Sequence, residues 1–219
     1  MISKSKPRPF GKQLTHKKIQ SDLKRYCSLA LKSGASGAVI IPADHVSVDE
    51  RVRLKCLIPR CNRAGETPNC PPNAPDLELF RRAVSLYKWA LLFKCDITNI
   101  EEYVPVRGKT TTKRQQPPPF FKKNSEIVDT LEREAYKDGY HLALGLGGGS
   151  CKDYLCLGQT CQVLENGQCR HPLHARPSLE AMGIDVVKLI DEAGWKSYAI
   201  LDDLKSTTTA ITVGMVFIC

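Results

Sequence analysis

Apolar and polar positions alternate between two periods along this chain. In "THKKIQSDLKRYCSLALKSG", Ile19, Leu23, Tyr26, Cys27 and Ala30 recur on one helical face. Thr15 is a suitable N-cap and Gly34 a suitable residue beyond the C-terminus, so this stretch predicts a helix with Cys27 in the core. "GAVII" predicts a strand from its β-branched run. "VSVDERVRLKCL" alternates apolar and polar, as a half-buried strand does; Val52 and Leu54 share a parity with Cys56, where the strand would end. A helix is expected to start between Asn73 and Asp76 and run through "LELFRRAVSLY". "KWALLFKCDI" then reads as a buried strand.

The stretch "RGKTTTKRQQPPPFFKKN" has three consecutive prolines and no apolar period, so it reads as an exposed loop or insertion. Ser125 opens a helix with Ile127, Leu131 and Ala135 on one face and Gly139 at its end. "YHLALGL" is a strand that leads into Gly147–Gly149. "ARPSLEAMGIDVVKLIDEAGW" gives one helix or two short ones, opened by Pro177 and Ser178 and closed by Gly194. "TTTAITVGMVFIC" is β-rich. These elements predict an α+β or α/β fold: a mixed sheet with flanking helices and two cysteine-rich metal-binding loops, strand order open. No internal repeat is present.

A chain of 219 residues is long enough for a real hydrophobic core and needs no disulfide staples. The net charge of +9 suggests nucleic acid until its distribution is considered. Residues 1–18 carry Lys4, Lys6, Arg8, Lys12, Lys17 and Lys18 and no acid. Residues 107–123 carry Arg107, Lys109, Lys113, Arg114, Lys122 and Lys123 and no acid. Taking these twelve charges from +9 leaves −3 for the remainder. The expected organisation is a basic flexible tail, 1–18, and a single metal-binding domain, 19–219, interrupted by a basic Pro-rich loop at 107–123. Charge of this kind usually keeps a tail or loop solvated. A nucleic-acid partner would be gripped through phosphates alone, and no base-reading motif supports one.

No apolar h-region follows the basic start, and no run approaches a membrane-spanning length. The expectation is a cytoplasmic protein without a membrane span. In that compartment, clustered cysteines favour metal or redox chemistry over disulfides.

Seven of the ten cysteines fall in two bunches. The first, "CLIPRCNRAGETPNCPP", has Cys56, Cys61 and Cys70 in a C-x4-C-x8-C pattern. The second, "GGGSCKDYLCLGQTCQVLENGQCRHP", has Cys151, Cys156, Cys161 and Cys169 in a C-x4-C-x4-C-x7-C pattern. Each follows a predicted strand and lies on an irregular loop, where backbone N–H groups can turn toward sulfur. Gly147, Gly148 and Gly149 would leave room beside a bulky inorganic group. Four thiolates complete either a zinc site or a [4Fe–4S] cluster. A zinc ribbon normally pairs short C-x2–4-C knuckles across a long gap, and even spacing within one loop leans toward iron–sulfur. Yet the spacing is not the ferredoxin run either, so zinc stays open.

Three thiols describe a cluster with one open iron or a catalytic zinc with water. A fourth ligand would come from Cys95, Cys27 or His45, although Cys95, ending a buried strand, suits core packing better. The bland alternative is a proline-rich turn with reduced thiols. Cys219 is assigned no role. His171 and His174 could ligate or move protons, but they read better as a turn into the following helix. Arg170 and Arg176 are candidates to offset thiolate charge. "GLGGGS" lacks the spacing of a nucleotide loop, G-x-S-x-G and HExxH are absent, and Glu132 and Glu134 fall on different helical faces.

"VDERVRLKC", the C-x4-C-x8-C-P-P loop, "YKWALLFKC", "GLGGGSC…C…C…CRHP" and "ARPSLEAMGIDVVKLIDEAGW" together resemble the predicted metal-binding proteins of domain of unknown function 2284, over about residues 20 to 200. The resemblance implies an anaerobe's protein whose cysteines bind iron–sulfur clusters, with Cys56, Cys61 and Cys70 in one motif and Cys151, Cys156, Cys161 and Cys169 in the other. It implies no reaction. In this chain the second loop is spaced more widely, and the basic insertion is unusual.

The expected function is therefore a metal-binding, iron–sulfur protein with one or two [4Fe–4S] clusters. Its role would be electron transfer or cluster-dependent catalysis, with a redox partner protein or a small-molecule substrate. The alternative is a zinc-stabilised module for RNA or an acidic protein partner. A reductase working through free thiols is the third reading.

Overall fold

The computed structural model describes residues 8–9, 14–97, 119–196 and 210–219. The basic segments at 1–7, 10–13 and 98–118 lie outside the described residues, as does 197–209. Helix α1 spans His16–Lys32, so residues 16–18 of the expected tail form its first turn. Thr15 caps it by accepting from the Lys18 N–H, and Gly34 beyond its end has φ +100°, as the spacing predicted.

Strands β1 (Gly37–Pro42), β2 (Trp89–Ile97), β3 (Leu144–Leu146) and β4 (Ala210–Phe217) form one sheet in the order β1-β2-β4-β3. Every pairing is antiparallel, so the α+β alternative is the one realised. Residues of β2 alternate between two cores, as a strand covered on both faces must. Ala90 and Leu92 join Phe80, Leu179, Met182 and Leu189 on one face. Leu91, Phe93 and Cys95 join Leu23, Tyr26, Ile127 and Leu131 on the other. The first face is covered by α3 (Leu77–Val84) and α7 (Val186–Glu192), the second by α1 and α4 (Pro119–Lys137).

Two local expectations change, and one open alternative is resolved. Residues Glu50–Leu54 form a short helix, α2, where alternation predicted a strand. Asp49 caps it by accepting from the Arg51 N–H at 2.8 Å, and this local bond wins because no strand lies alongside to pair among the described residues. Leu54 is left exposed. Helix α4 starts six residues before Ser125, with Pro119 at its first position, where a missing N–H costs nothing. The stretch after Pro177 resolves into two pieces, a 3-10 turn at Glu180–Met182 and α7, separated by Gly183 at φ +73°.

A buried ionic network ties the N-terminal segment to the body. Arg8 donates to both Asp22 oxygens at 3.0 and 3.1 Å and pairs with Asp138 at 3.1 Å. Lys18 donates to Asp22 at 2.6 Å, Tyr140 to Asp22 at 3.0 Å and Tyr26 to Asp138 at 2.8 Å. Arg25 also pairs with Asp138. Burial works against a charged Asp22, but the bonds from Arg8, Lys18 and Tyr140 outweigh it and hold its carboxyl below the ordinary value.

A depressed carboxyl contributes stability above the ordinary carboxylate range, and that contribution fades as pH falls toward the lower folded value. Asp22→Asn is therefore expected to cost roughly 2 kcal/mol near neutral pH, less than a fully buried pair because Arg8 and Lys18 keep some solvent. Urea unfolding over an acid pH series should show a flatter acid limb for the variant than for the parent chain.

Candidate metal centre

The first cysteine loop leaves α2 and folds back on itself. The Cys61 N–H donates to the Cys56 carbonyl at 2.9 Å, the Gly65 N–H to Pro71 at 2.8 Å, and the Asn73 and Ala74 N–H groups to Cys70 at 3.0 and 3.1 Å. These bonds bring Cys56, Cys61 and Cys70 onto the wall of one open cavity of about 430 Å³. Cys70 is buried, Cys56 half-buried and Cys61 exposed.

The second loop leaves β3 through Gly147–Gly149, enters α5 (Cys151–Tyr154), capped by Ser150, and later forms the short helix α6 (Gln162–Asn166). Cys151, Cys156, Cys161 and Cys169 line a separate cavity of about 30 Å³, together with Thr67, Asn69 and His171. Cys151 is buried and the other three are half-buried.

Both loops use one local device. The Arg63 N–H donates to Cys61 Sγ at 3.4 Å, and the His171 N–H donates to Cys169 Sγ at 3.3 Å, each two residues on from its cysteine. A backbone donor aimed at sulfur favours the thiolate, the form that ligates metal.

The loops also dock on one another. Asn69 Nδ2 donates to Cys151 Sγ at 3.6 Å, and Cys70 Sγ lies 3.3 Å from Ser150 Oγ. Arg63 bridges Asp153 at 2.7 Å and Glu66 at 2.8 Å, while Lys152 reaches Glu66 at 3.1 Å. Neighbouring residues thus face opposite ways. Asn69 lines the small cavity and Cys70 the large one; Cys151 lines the small cavity and Ser150 the large one.

Burial pushes the Cys151 thiol up, against bonds from Asn69 and Thr67 and with Cys70 and Cys161 adding to the rise. Cys56 is raised by burial, then by Cys61, Glu180 and Cys70. Burial also raises Cys27, and takes Cys95 to about 11. A thiol redox catalyst needs the opposite shift, so Cys56 and Cys151 do not suit that role. A bound cation reverses them by supplying the missing positive charge.

The three candidates for a fourth ligand lie elsewhere. Cys95 is core and Cys27 packs against the same cluster, on the α1–α4 side of the sheet, while His45 pairs with Glu192 at 3.5 Å. Arg170 donates to the Thr160 carbonyl and Arg176 to Glu132, so neither stands on a cysteine cavity; Arg63 and Lys152 occupy that place. His171 lines the small cavity and also accepts from the His174 and Ala175 N–H groups, making the expected turn. His174 meets Asp129 at 2.5 Å.

The glycines serve packing. A Cβ on Gly148 would strike Thr212 Oγ1, and one on Gly149, which has φ +70°, would meet the Phe121 ring at 2.9 Å. Both glycines face the large cavity and neither lines the small one.

The donor set suits a thiophilic metal group: four thiols surround one enclosed space and three line another. Among the described residues, no three His, Cys, Asp or Glu side chains converge to single-ion distances. The small cavity has the volume of one water or ion. The thiols therefore form walls around a seat, and a bound group would draw them to their final positions. Sequence reasoning missed Thr67, Asn69, Ser150, Arg63, Lys152 and Glu180. Only Arg63 left a trace, standing two residues after Cys61.

Comparison with known proteins gives the class. The family of predicted metal-binding proteins, domain of unknown function 2284, matches residues 39–218, so the chain belongs to that family. Nothing among curated proteins or solved structures matches the chain. Metal binding is thus a property of the family, and no described helix is long and apolar enough to cross a membrane.

The docking of the loops can be measured without metal. Arg63→Ala and Asp153→Ala, alone and combined, should show a coupling of about 1 kcal/mol in chemical denaturation, because both side chains are partly shielded from solvent. Additive effects would mean that the bridge does not hold the loops together.

Proposed function

We propose that this chain is an iron–sulfur redox protein in which the two cysteine loops have different tasks. Cys151, Cys156, Cys161 and Cys169 hold a closed cluster that passes electrons. Cys56, Cys61 and Cys70 hold a second one, open toward the large cavity, where a small molecule is transformed. The observation that carries this reading is the partition of the seven thiols: four around the enclosed cavity and three on the wall of the open one. The Asn69–Cys151 and Cys70–Ser150 contacts support this reading, because they bring the two loops together.

Bound clusters supply one-electron transfer and, at an iron with a free position, Lewis acidity. The chain supplies the rest. The N–H groups of Arg63 and His171 and the Asn69 amide donate to sulfur and favour the thiolate. Arg63 and Lys152 bring positive charge beside the thiols while Glu66 and Asp153 fix their positions. Phe121, Val213 and Ile190 keep the far side of the large cavity apolar and limit water there.

A zinc ion in the four-thiol seat is the second reading, favoured by the ion-sized volume of that cavity. The RNA or acidic-protein partner that goes with it would use basic segments largely outside the described residues.

Iron, sulfide and zinc analysis with EPR on anaerobically isolated protein separates the two. The expected result is iron with matching acid-labile sulfide, falling by about half in Cys161→Ser and in Cys56→Ser, as two equal clusters require. Stoichiometric zinc in a colourless, oxygen-stable protein would sink the iron–sulfur reading. Unchanged iron in Cys56→Ser would remove the second cluster alone.

A further inference from the structure

One turn of the first cysteine loop stands outside both cavities. The Leu57 and Ile58 N–H groups donate to the Leu54 carbonyl at 2.9 and 2.8 Å, and Leu57 faces Arg60 across an isolated antiparallel bridge. That bridge makes Ile58 and Pro59 the tip of a tight turn. Leu57, Ile58, Pro59 and Arg60 are all exposed, as are Leu54 and Lys55 just before them. Ile58 keeps 71% of its surface in solvent and Leu54 keeps 48%. None of these six residues lines either cysteine cavity. Single exposed aliphatic side chains are ordinary, but three within one turn form a patch.

The turn rests on a firm base. Arg53 donates to the Ala74 and Pro75 carbonyls at 2.8 and 2.7 Å, and the Cys61 N–H returns to the Cys56 carbonyl at 2.9 Å. Its charge is one-sided. From Arg51 to Arg63 the chain has five cations and no acid. Arg51 is taken by Asp49, and Arg63 by Glu66 and Asp153. Arg53 and Arg60 meet only backbone carbonyls, which leave their charge uncancelled, and Lys55 forms no ion pair among the described residues. The acids at the start of α2 are already held, Asp49 by Arg51 and Glu50 by Arg81. Three uncancelled positive charges therefore flank the apolar tip.

An apolar tip between cations matches the boundary of an anionic bilayer. Aliphatic side chains enter the acyl region there, while Lys and Arg heads stay level with the headgroups. Other polyanions would use less of the turn. A phosphate backbone gains nothing from Ile58, and the turn has no aromatic ring on which a base could stack. A stable protein interface takes about twenty residues a side, whereas this apolar surface is confined to one turn. We propose that the Leu54–Arg60 turn docks the chain on an anionic lipid surface. Leu54, Leu57 and Ile58 enter the bilayer boundary, Lys55 and Arg60 pair with headgroups, and Arg53 adds to the field. Cys56 and Cys61, within and just after the turn, line the large cavity, so docking brings that cavity to the lipid. The docking does not depend on which metal the thiols hold.

Co-sedimentation with vesicles tests this on the protein as isolated anaerobically. The probes are vesicles of phosphatidylcholine alone and of phosphatidylcholine with about one-third phosphatidylglycerol. The parent should bind the mixed vesicles, bind the neutral ones roughly tenfold more weakly or worse, and lose binding as salt rises. Ile58→Ser should weaken binding to mixed vesicles about tenfold, and Lys55→Gln combined with Arg60→Gln about thirtyfold. Ile58→Trp should bind at least as tightly as the parent, with emission shifted to the blue on mixed vesicles. Every variant keeps the basic N-terminal segment. Binding that this segment alone provides would be unchanged in all of them and would overturn the proposal. It also falls if the parent ignores mixed vesicles, or if only the charge variant loses binding, the sign of a site for an acidic protein or polynucleotide. Unshifted Ile58→Trp emission would overturn it too, whatever Ile58→Ser does to fold or metal content. Circular dichroism and iron and zinc analysis read those on the same samples.

Discussion

The pairing of β3 with β4 carries the second cysteine loop. β3 has three residues and, among the described residues, stands at the edge of the sheet and pairs with β4 alone. Directly after it the Gly147 N–H donates to the Pro177 carbonyl, and the Leu179 N–H donates to the Gly147 carbonyl. One strand end therefore fixes both where the thiol loop leaves the sheet and where the chain comes back to it. β4 in turn lies between β2 and β3, with Met215, Val216 and Phe217 fully buried. The hydrophobic cost of moving that strand, roughly 1.5–3 kcal/mol for each such side chain, is what holds the loop's base in place.

The first loop has a weaker hold on the sheet and a stronger one on its partner loop. Its own folds are turn hydrogen bonds, and the Arg63–Asp153 and Lys152–Glu66 bridges join it to α5. The boundary between the two cavities is one residue thick on each side, with Asn69 beside Cys70 and Ser150 beside Cys151. A shift of either loop therefore moves the wall of the other cavity.

Much of the fold was legible because it is local. The cap at Thr15, the apolar face of α1, the β-branched run of β1 and the buried run of β2 each need only nearby residues. α2 was misread because alternation over a few residues does not distinguish a strand from a capped turn when no neighbouring strand is known. The two cysteine bunches were legible as groups, and the structure keeps them as groups. Their adjacency was not, since Asn69 and Cys151 are far apart in sequence and meet only through the sheet. Glu180 was invisible for the same reason. Nothing around "SLEAM" differs from an ordinary helix start, and the cavity it lines is built from residues as distant as Cys56 and Val213.

The place of β4 in the middle of the sheet has a consequence for how the chain is made. Synthesis runs from the N-terminus, so both thiol loops leave the ribosome before the strand between β2 and β3 exists. During that interval β3 lacks the one strand it pairs with among the described residues, and the second loop has no fixed base. Seven thiols are then displayed on an unfinished scaffold, and the walls around them close only when the last strand slides in.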